Sequence, residues 1–319
     1  MTHVIPHKKP SRGRACGKVI LAGEHAVVYG VPAIAVGIAR GAEAEARPAA
    51  SGRKLRIMQR DMPPIEVDAD VALEEDLPRA FRAIADHVPG AWEVDAFAEV
   101  PPGGGLGCSA ALGVAIARAL VPGASVDRIC ELAMGWERVF HGNPSGVDAA
   151  VSARGGCVLF EKGKPILNVE VADELTLCIG NTGMASGTRA MVDAVAKLRS
   201  RKPQMVEKSF EGIRALVVNA RSAIEAGDHT ALGRLMDLNQ MILSGLFVST
   251  EEIERMCALA RGAGALGAKL TGAGGGGCVV AVASNDTAPA ILQSWKSNGF
   301  DGFVTRVEPT LRDLVEAMP

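Results

Sequence analysis

Residues 101–111, P-P-G-G-G-L-G-C-S-A-A, constrain what this chain can fold into more than any other stretch. Before them Val94, Ala96, Ala98 and Val100 alternate with polar or larger residues, the period of a strand. After them A-A-L-G-V-A-I-A-R-A-L, rich in alanine and leucine, predicts a helix. A tight glycine loop that opens a helix leaves backbone N–H groups unpaired, with the positive end of the helix dipole behind them. Such a place takes anions, a phosphate chain above all. The competing reading is an ordinary turn, but four glycines between two prolines and a serine exceed what a turn needs. No lysine follows Gly107, so the loop is not a Walker loop, and Cys108 breaks the G-x-G-x-x-G of a dinucleotide fingerprint.

The chain of 319 residues is 48% hydrophobic and 22% charged, enough to bury a core and long enough for about two domains. A net charge of −2 and a pI near 6.3 supply no basic field for nucleic acid or an anionic membrane. No apolar run reaches the ~18 residues that a membrane span needs. The basic segment M-T-H-V-I-P-H-K-K-P-S-R-G-R reads as a frayed tail. Seven cysteines (Cys16, Cys108, Cys130, Cys157, Cys178, Cys257 and Cys278) form no C-x-x-C pair and read as small buried hydrophobes of a reducing cytosol.

Two apolar runs, 19–22 and 33–38, flank a connection carrying Glu24, His25 and Tyr29, with Lys18 at the mouth of the first. Buried, these charges would need partners; the alternative is a snorkelling lysine and a polar turn. Short strands are expected at 54–58 and 65–67 and a helix over 78–88. A second helix over 126–140 presents Val126, Ile129, Leu132, Ala133, Trp136 and Phe140 on one stripe. Glu137 lies beside that stripe near the helix C-terminus, where the dipole disfavours an anion. It is therefore solvated or neutralised, and a cation is one candidate. In H-G-N-P-S-G-V-D the segment N-P-S-G, residues 143–146, is expected to form a turn, and Asp148 is either an N-cap or a general base. Strands at 155–160 and 175–180 precede helices over 188–198, 204–226 and 229–247. Ser249 with Glu252 suggests a capping box for a helix running to about residue 266. Gly272, Gly274 and Gly277 spell G-x-G-x-x-G, but a helix is expected to lead in and a strand, 278–283, to follow, which rules out a Rossmann loop.

Three separated segments together resemble the GHMP small-molecule kinase family: the hairpin 18–37, the phosphate loop 101–111 and the glycine run 269–278. They span most of the chain in the family's order. G-K-V-I-L-A-G-E-H-A-V-V-Y-G, E-R-V-F-H-G-N-P-S-G-V-D and T-G-M-A-S-G-T-R look most like the branch that phosphorylates mevalonate. The resemblance implies an α+β GHMP fold of two domains. Residues 1–165 would form a unit like the second domain of ribosomal protein S5, and residues 166–319 a ferredoxin-like unit, with nucleotide and substrate in the cleft between them.

It also implies roles. Asp148 would be the catalytic base and Lys18 its partner. Pro102, Gly103, Gly104, Gly105, Leu106, Gly107, Cys108, Ser109 and Ala110 would hold ATP, and Ser109 and Glu137 Mg2+. Glu24, His25 and Thr188 would line the mevalonate pocket, with Gly272 and Ala273 closing it from the second domain. A cytoplasmic homodimer making 5-phosphomevalonate for isoprenoid precursors follows from the same likeness. The alternatives are a family member acting on another small alcohol and a catalytically silent nucleotide-binding relative. Two departures stand out. Cys108 replaces the family's usual serine, and residues 182–188 lack the usual basic residue, whose role would pass to Arg189 or elsewhere. The adenine pocket is expected within residues 40–70.

Overall fold

The computed structural model describes residues 9–59, 62–71, 74–142 and 144–310. Strand β1 (Ser11–Ala22) passes through a 3-10 turn at Ala26–Tyr29 into the long β2 (Ala33–Pro48). The two pair antiparallel, from Ser11 opposite Ala46 to Ala22 opposite Ile34. There follow β3 (Arg53–Gln59), β4 (Met62–Asp68), α1 (Asp76–Ala85), β5 (Trp92–Ala98), α2 (Cys108–Leu120), α3 (Val126–His141), α4 (Val147–Arg154), β6 (Cys157–Phe160) and β7 (Leu167–Asn168). Strand β2 is the spine of this first sheet. One edge takes β1, while the other takes β5 along residues 42–48 and β6 along residues 33–36.

Helix α2 explains why the glycine loop is held firmly. Every residue from Ala110 to Ala117 is buried, as are Ala119 and Leu120. A helix apolar all round belongs inside a core, and α2 packs on β1, β2 and α3. Alanine and glycine on its surface let these neighbours come close: a Cβ on Gly113 would meet the Trp136 ring at 2.9 Å.

The change of sheet falls between Asn168 and Leu175. The second sheet holds β8 (Leu175–Asn181), β9 (Gly267–Thr271), β10 (Cys278–Ala283) and β11 (Asp301–Val307) in the order β11-β8-β10-β9, antiparallel throughout. Four helices connect β8 to β9: α5 (Thr188–Arg201), α6 (Pro203–Glu225), α7 (His229–Gly245) and α8 (Glu251–Gly262). One helix, α9 (Ala288–Ser297), connects β10 to β11. This is the ferredoxin-like plan with its first helical crossover enlarged.

Four expectations change. Residues 11–14 are not tail: they pair with residues 43–46 as the start of β1, because their alternating pattern puts Gly13 against α2; residues 1–8 lie outside the described residues. Val126, placed on the buried stripe of α3, is 37% exposed, since it stands in the first turn beyond the core. The cap of α8 is Thr250, whose hydroxyl accepts from the Ile253 N–H, because the Ser249 hydroxyl already accepts from Gln240 Nε2 at 3.0 Å. Finally, α8 stops at Gly262, and a strand, β9, leads into the glycine run. The Rossmann reading still fails, because a strand follows that run and no helix does. Asn143 of the predicted turn lies outside the described residues.

Candidate active site

Lys18 stands on β1 in the middle of the molecule, its side chain 3% exposed. Its ammonium lies 2.9 Å from Asp148 Oδ1 and donates to the Gly105 carbonyl at 3.0 Å. The stem crosses Gly107, where a Cβ would sit 2.9 Å from Lys18 Cγ, so only glycine leaves the lysine room. Asp148 occupies the first turn of α4, where the helix dipole favours a carboxylate. The N-cap position belongs to Gly146, in the left-handed region, so the capping reading of Asp148 gives way to a charge that reaches across to β1.

Among the described residues, no N–H from Gly103 to Ala110 donates to a protein acceptor; Ala111 is the first to do so, to Gly107 O at 2.8 Å. The glycine loop therefore presents a row of unused donors at the start of a buried helix, which is an anion cradle. Gly105 has φ 74°, and a Cβ there would strike Thr271 O at 2.6 Å, so the loop is pressed onto the turn that leaves β9. Ser186 holds both glycine segments together: its N–H donates to Gly103 O at 3.0 Å and its hydroxyl to Gly274 O at 2.5 Å.

Glu137 is buried at 2% exposure, and its carboxylate accepts from Ser109 Oγ at 2.5 Å. Trp136 Nε1 donates to the same hydroxyl at 3.1 Å, and His141 Nε2 lies 3.6 Å from Glu137. Burial pushes the Glu137 carboxyl up to about 7; the Ser109 hydrogen bond opposes this, the charge of Asp148 adds to it and Lys18 subtracts. A buried carboxylate and a hydroxyl, hard oxygen donors with no full countercharge in contact, suit a small divalent cation that keeps positions for water and phosphate oxygens. The reading of Glu137 as a charge in need of a cation fits this environment, and the solvated alternative does not.

Two cavities meet here. The larger, about 740 Å³, is lined by the glycine loop, Lys18, Gly272 and Ala273, and ends among Ile57, Gln59, Ile65 and Leu77. The smaller, about 450 Å³, runs along Val28, Tyr29, Met134 and Val192. Glu137, His141, Asp148, Thr188, Arg189 and Asp193 line both. Asp148 thus stands where the two spaces join.

Glu24 and His25 are placed differently from their neighbours in the motif. Glu24 is 1% exposed and paired with Lys269 of β9, which also donates to Leu270 O at 2.5 Å. His25 is buried, with Nε2 donating to Ala273 O at 2.8 Å. Both lie in the seam between the sheets, behind the cleft wall formed by Gly272 and Ala273. Lys18 is neither snorkelling nor are Glu24 and His25 an exposed turn.

The family model for the GHMP kinase N-terminal domain matches residues 75–156, and that for the GHMP kinase C-terminal matches residues 220–301. A mevalonate kinase of Pyrococcus furiosus is 34% identical over 302 residues, covering 85% of this chain and 88% of that one. The chain belongs to the GHMP kinase family. A mevalonate kinase of Mus musculus is 30% identical with 92% of each chain covered. The crystal structure of L. major mevalonate kinase in complex with R-mevalonate superposes with a TM-score of 0.84 at 27% identity, covering 97% of this chain and 100% of that one. The two-domain α+β architecture expected of a GHMP kinase is the one observed.

As a GHMP kinase this chain departs little at Cys108. The thiol is buried, and burial, aided by Glu137, pushes it up to about 12, so it stays neutral where the loop needs backbone donors. Two functional residues carry a signal that periodicity alone hides. Trp136 fits the apolar stripe, yet an indole N–H needs an acceptor when buried. Lys269 is a lone cation in an apolar strand, the argument that flagged Lys18.

Proposed function

We propose that this protein transfers the γ-phosphoryl group of ATP to the primary hydroxyl of mevalonate, giving 5-phosphomevalonate and ADP. The observation that carries the reading is the Lys18–Asp148 pair standing where an anion-cradling cavity meets a smaller chamber. The N–H groups of residues 103–110 bind the phosphates. Ile57, Ile65 and Leu77 give the adenine an apolar slot, and Gln59 offers it an amide. Ser109 and Glu137 would hold Mg2+, which would supply charge neutralisation of the phosphates.

In the smaller chamber Arg189, in the first turn of α5, takes the substrate carboxylate, with Thr188 beside it. Asp148 then faces the hydroxyl. It receives the alcohol proton as the oxygen bonds to phosphorus and the bond from phosphorus to the ADP oxygen breaks. Lys18 stabilises the developing alkoxide, its position fixed by Gly105 O and the close passage over Gly107.

Two copies associate in this reading; Leu238 and Met241, exposed one turn apart on α7, offer an apolar face, and light scattering tests it. Free cysteines throughout the described residues agree with a cytoplasmic setting. The decisive experiment is ADP release with Mg-ATP and a panel of mevalonate, phosphomevalonate, galactose and homoserine, run beside Asp148→Asn. Turnover of mevalonate alone, lost in the variant, is expected. Turnover of another alcohol would discard the substrate and keep the mechanism. ATP binding without any turnover would make the protein a silent relative.

A further inference from the structure

Tyr29, the single tyrosine of the chain, lines the smaller chamber beside Val28 yet has no part in the chemistry above. It ends the 3-10 turn between β1 and β2, and Gly30, in the left-handed region at φ 82°, follows it. The ring is held from outside its own turn. It stacks on Phe210 of α6, centroids 5.1 Å apart at 27°, and the Arg199 guanidinium of α5 lies 4.7 Å from its centroid. Arg214 of α6 donates to Gly30 O at 3.3 Å, tying down the turn itself. A ring clamped between an aromatic face and a guanidinium has little freedom to swing away.

Behind the ring lies a second, outer pocket of about 360 Å³, bounded by Ala196, Arg199, Ser200, Pro203 and Glu207. Tyr29 is common to this pocket and to the smaller chamber, and among the described residues no other side chain is. On the chamber side Val28, Met134 and Val192 supply apolar surface, and Asp193 lies close enough for its charge to act on Tyr29. A 3,5-dihydroxy-3-methyl acid that presents its hydroxyl to Asp148 and its carboxylate to Arg189 has one purely apolar substituent, the methyl at C3. That methyl belongs against this wall.

We propose that Tyr29 sets the length of the C3 substituent the site admits, standing as a wall between the acceptor chamber and the outer pocket. The proposal rests on assigning the smaller chamber to the acceptor. Removing the ring joins the two spaces, and alkyl-extended acceptors then reach the outer pocket beside Arg199 and Glu207. Tyr29 is a specificity-determining residue and not a catalytic one, since it touches no reacting atom.

The test compares mevalonate with its 3-ethyl and 3-propyl homologues in the wild type, Tyr29→Ala, Tyr29→Leu and Tyr29→Phe. One methylene in an apolar pocket changes kcat/KM by about 10–200-fold. The kcat/KM ratio of propyl homologue to mevalonate is therefore expected to rise at least about tenfold in Tyr29→Ala, less in Tyr29→Leu, and not at all in Tyr29→Phe, which keeps the ring. An unchanged ratio in Tyr29→Ala with mevalonate turnover retained would overturn the proposal. If the wild type prefers a different alcohol, the acceptor assignment falls, and the same ratio between that alcohol and its alkyl-extended homologue decides the role of Tyr29. A second measurement needs no variant. With ring-labelled tyrosine the wild-type protein has one tyrosine signal, expected to shift when mevalonate is added without nucleotide. Calorimetric binding of mevalonate that leaves this signal unmoved would also overturn the proposal.

Discussion

At the scale of single residues, the site is built from charges that the fold forces together. Lys18 and Asp148 lie 130 positions apart in the chain, and β1 and α4 bring them to 2.9 Å. Removing the base while keeping its shape isolates its contribution: Asp148→Asn is expected to lower kcat by roughly 10²–10⁴-fold, with ATP affinity little changed in equilibrium binding. His25 makes a different prediction. Burial holds its imidazole below the ordinary histidine range, with the Ala273 carbonyl opposing. The native state thus keeps it neutral where the unfolded chain, with a pKa near ~6.5, takes up a proton. Its contribution is fully present above that unfolded value and is lost as pH falls toward the lower folded value. The urea midpoint of the wild type should therefore drop more steeply below about pH 6.5 than that of His25→Gln, whose amide can still donate to Ala273 O. Of these residues the sequence showed which were chemically costly, namely Lys18, Glu24, Glu137 and Asp148. It did not show their partners, because each partner arrives from a distant element.

At the scale of elements, the strand–loop–helix unit from β5 to α2 was legible from residue types alone. Alternation predicts β5, alanine and leucine predict α2, and glycines between them predict a loop with spare N–H groups. What could not be read was the reason for each glycine. Gly107 carries φ 74° and borders the Lys18 stem. Gly107→Ala forces an L-residue into the left-handed region, at a cost of roughly 1–2 kcal/mol, and pushes Lys18 off Asp148. A fall in kcat together with a lower melting temperature is expected; full activity would show that the lysine can re-route. Helix α8 illustrates a local signal misassigned by one residue. Thr250→Ala should cost about 1 kcal/mol by chemical denaturation, and Ser249→Ala should remove the bond from Gln240 without uncapping the helix. Two adjacent hydroxyls have equal capping chemistry, and the position of Gln240 on α7 decides between them.

At the scale of the whole molecule, the two sheets are tied by one buried seam. Lys269 of β9 holds Glu24, Thr271 Oγ1 accepts from the Ile20 N–H at 2.8 Å, and His25 reaches Ala273 O. Burial pushes Glu24 up and Lys269 down against their mutual attraction, so neither is stable inside without the other. Glu24→Gln is expected to destabilise the protein by about 3–5 kcal/mol, whereas Glu24→Leu with Lys269→Met should recover most of that loss. A double variant as unstable as the single one would mean that the seam depends on the charges and not on filled volume. Local chemistry was readable along the chain: the phosphate loop, the periodicity of the helices, the need of each stranded charge for company, and the family these motifs belong to. Tertiary structure alone decided which charges pair, which wall of which cavity each side chain faces, and that Glu24 and His25 stand behind the cleft while Tyr29 stands in it. The physical reason is that periodicity and loop chemistry act over a few residues. Pairing across a seam depends on the order of strands in two sheets, which no local pattern encodes.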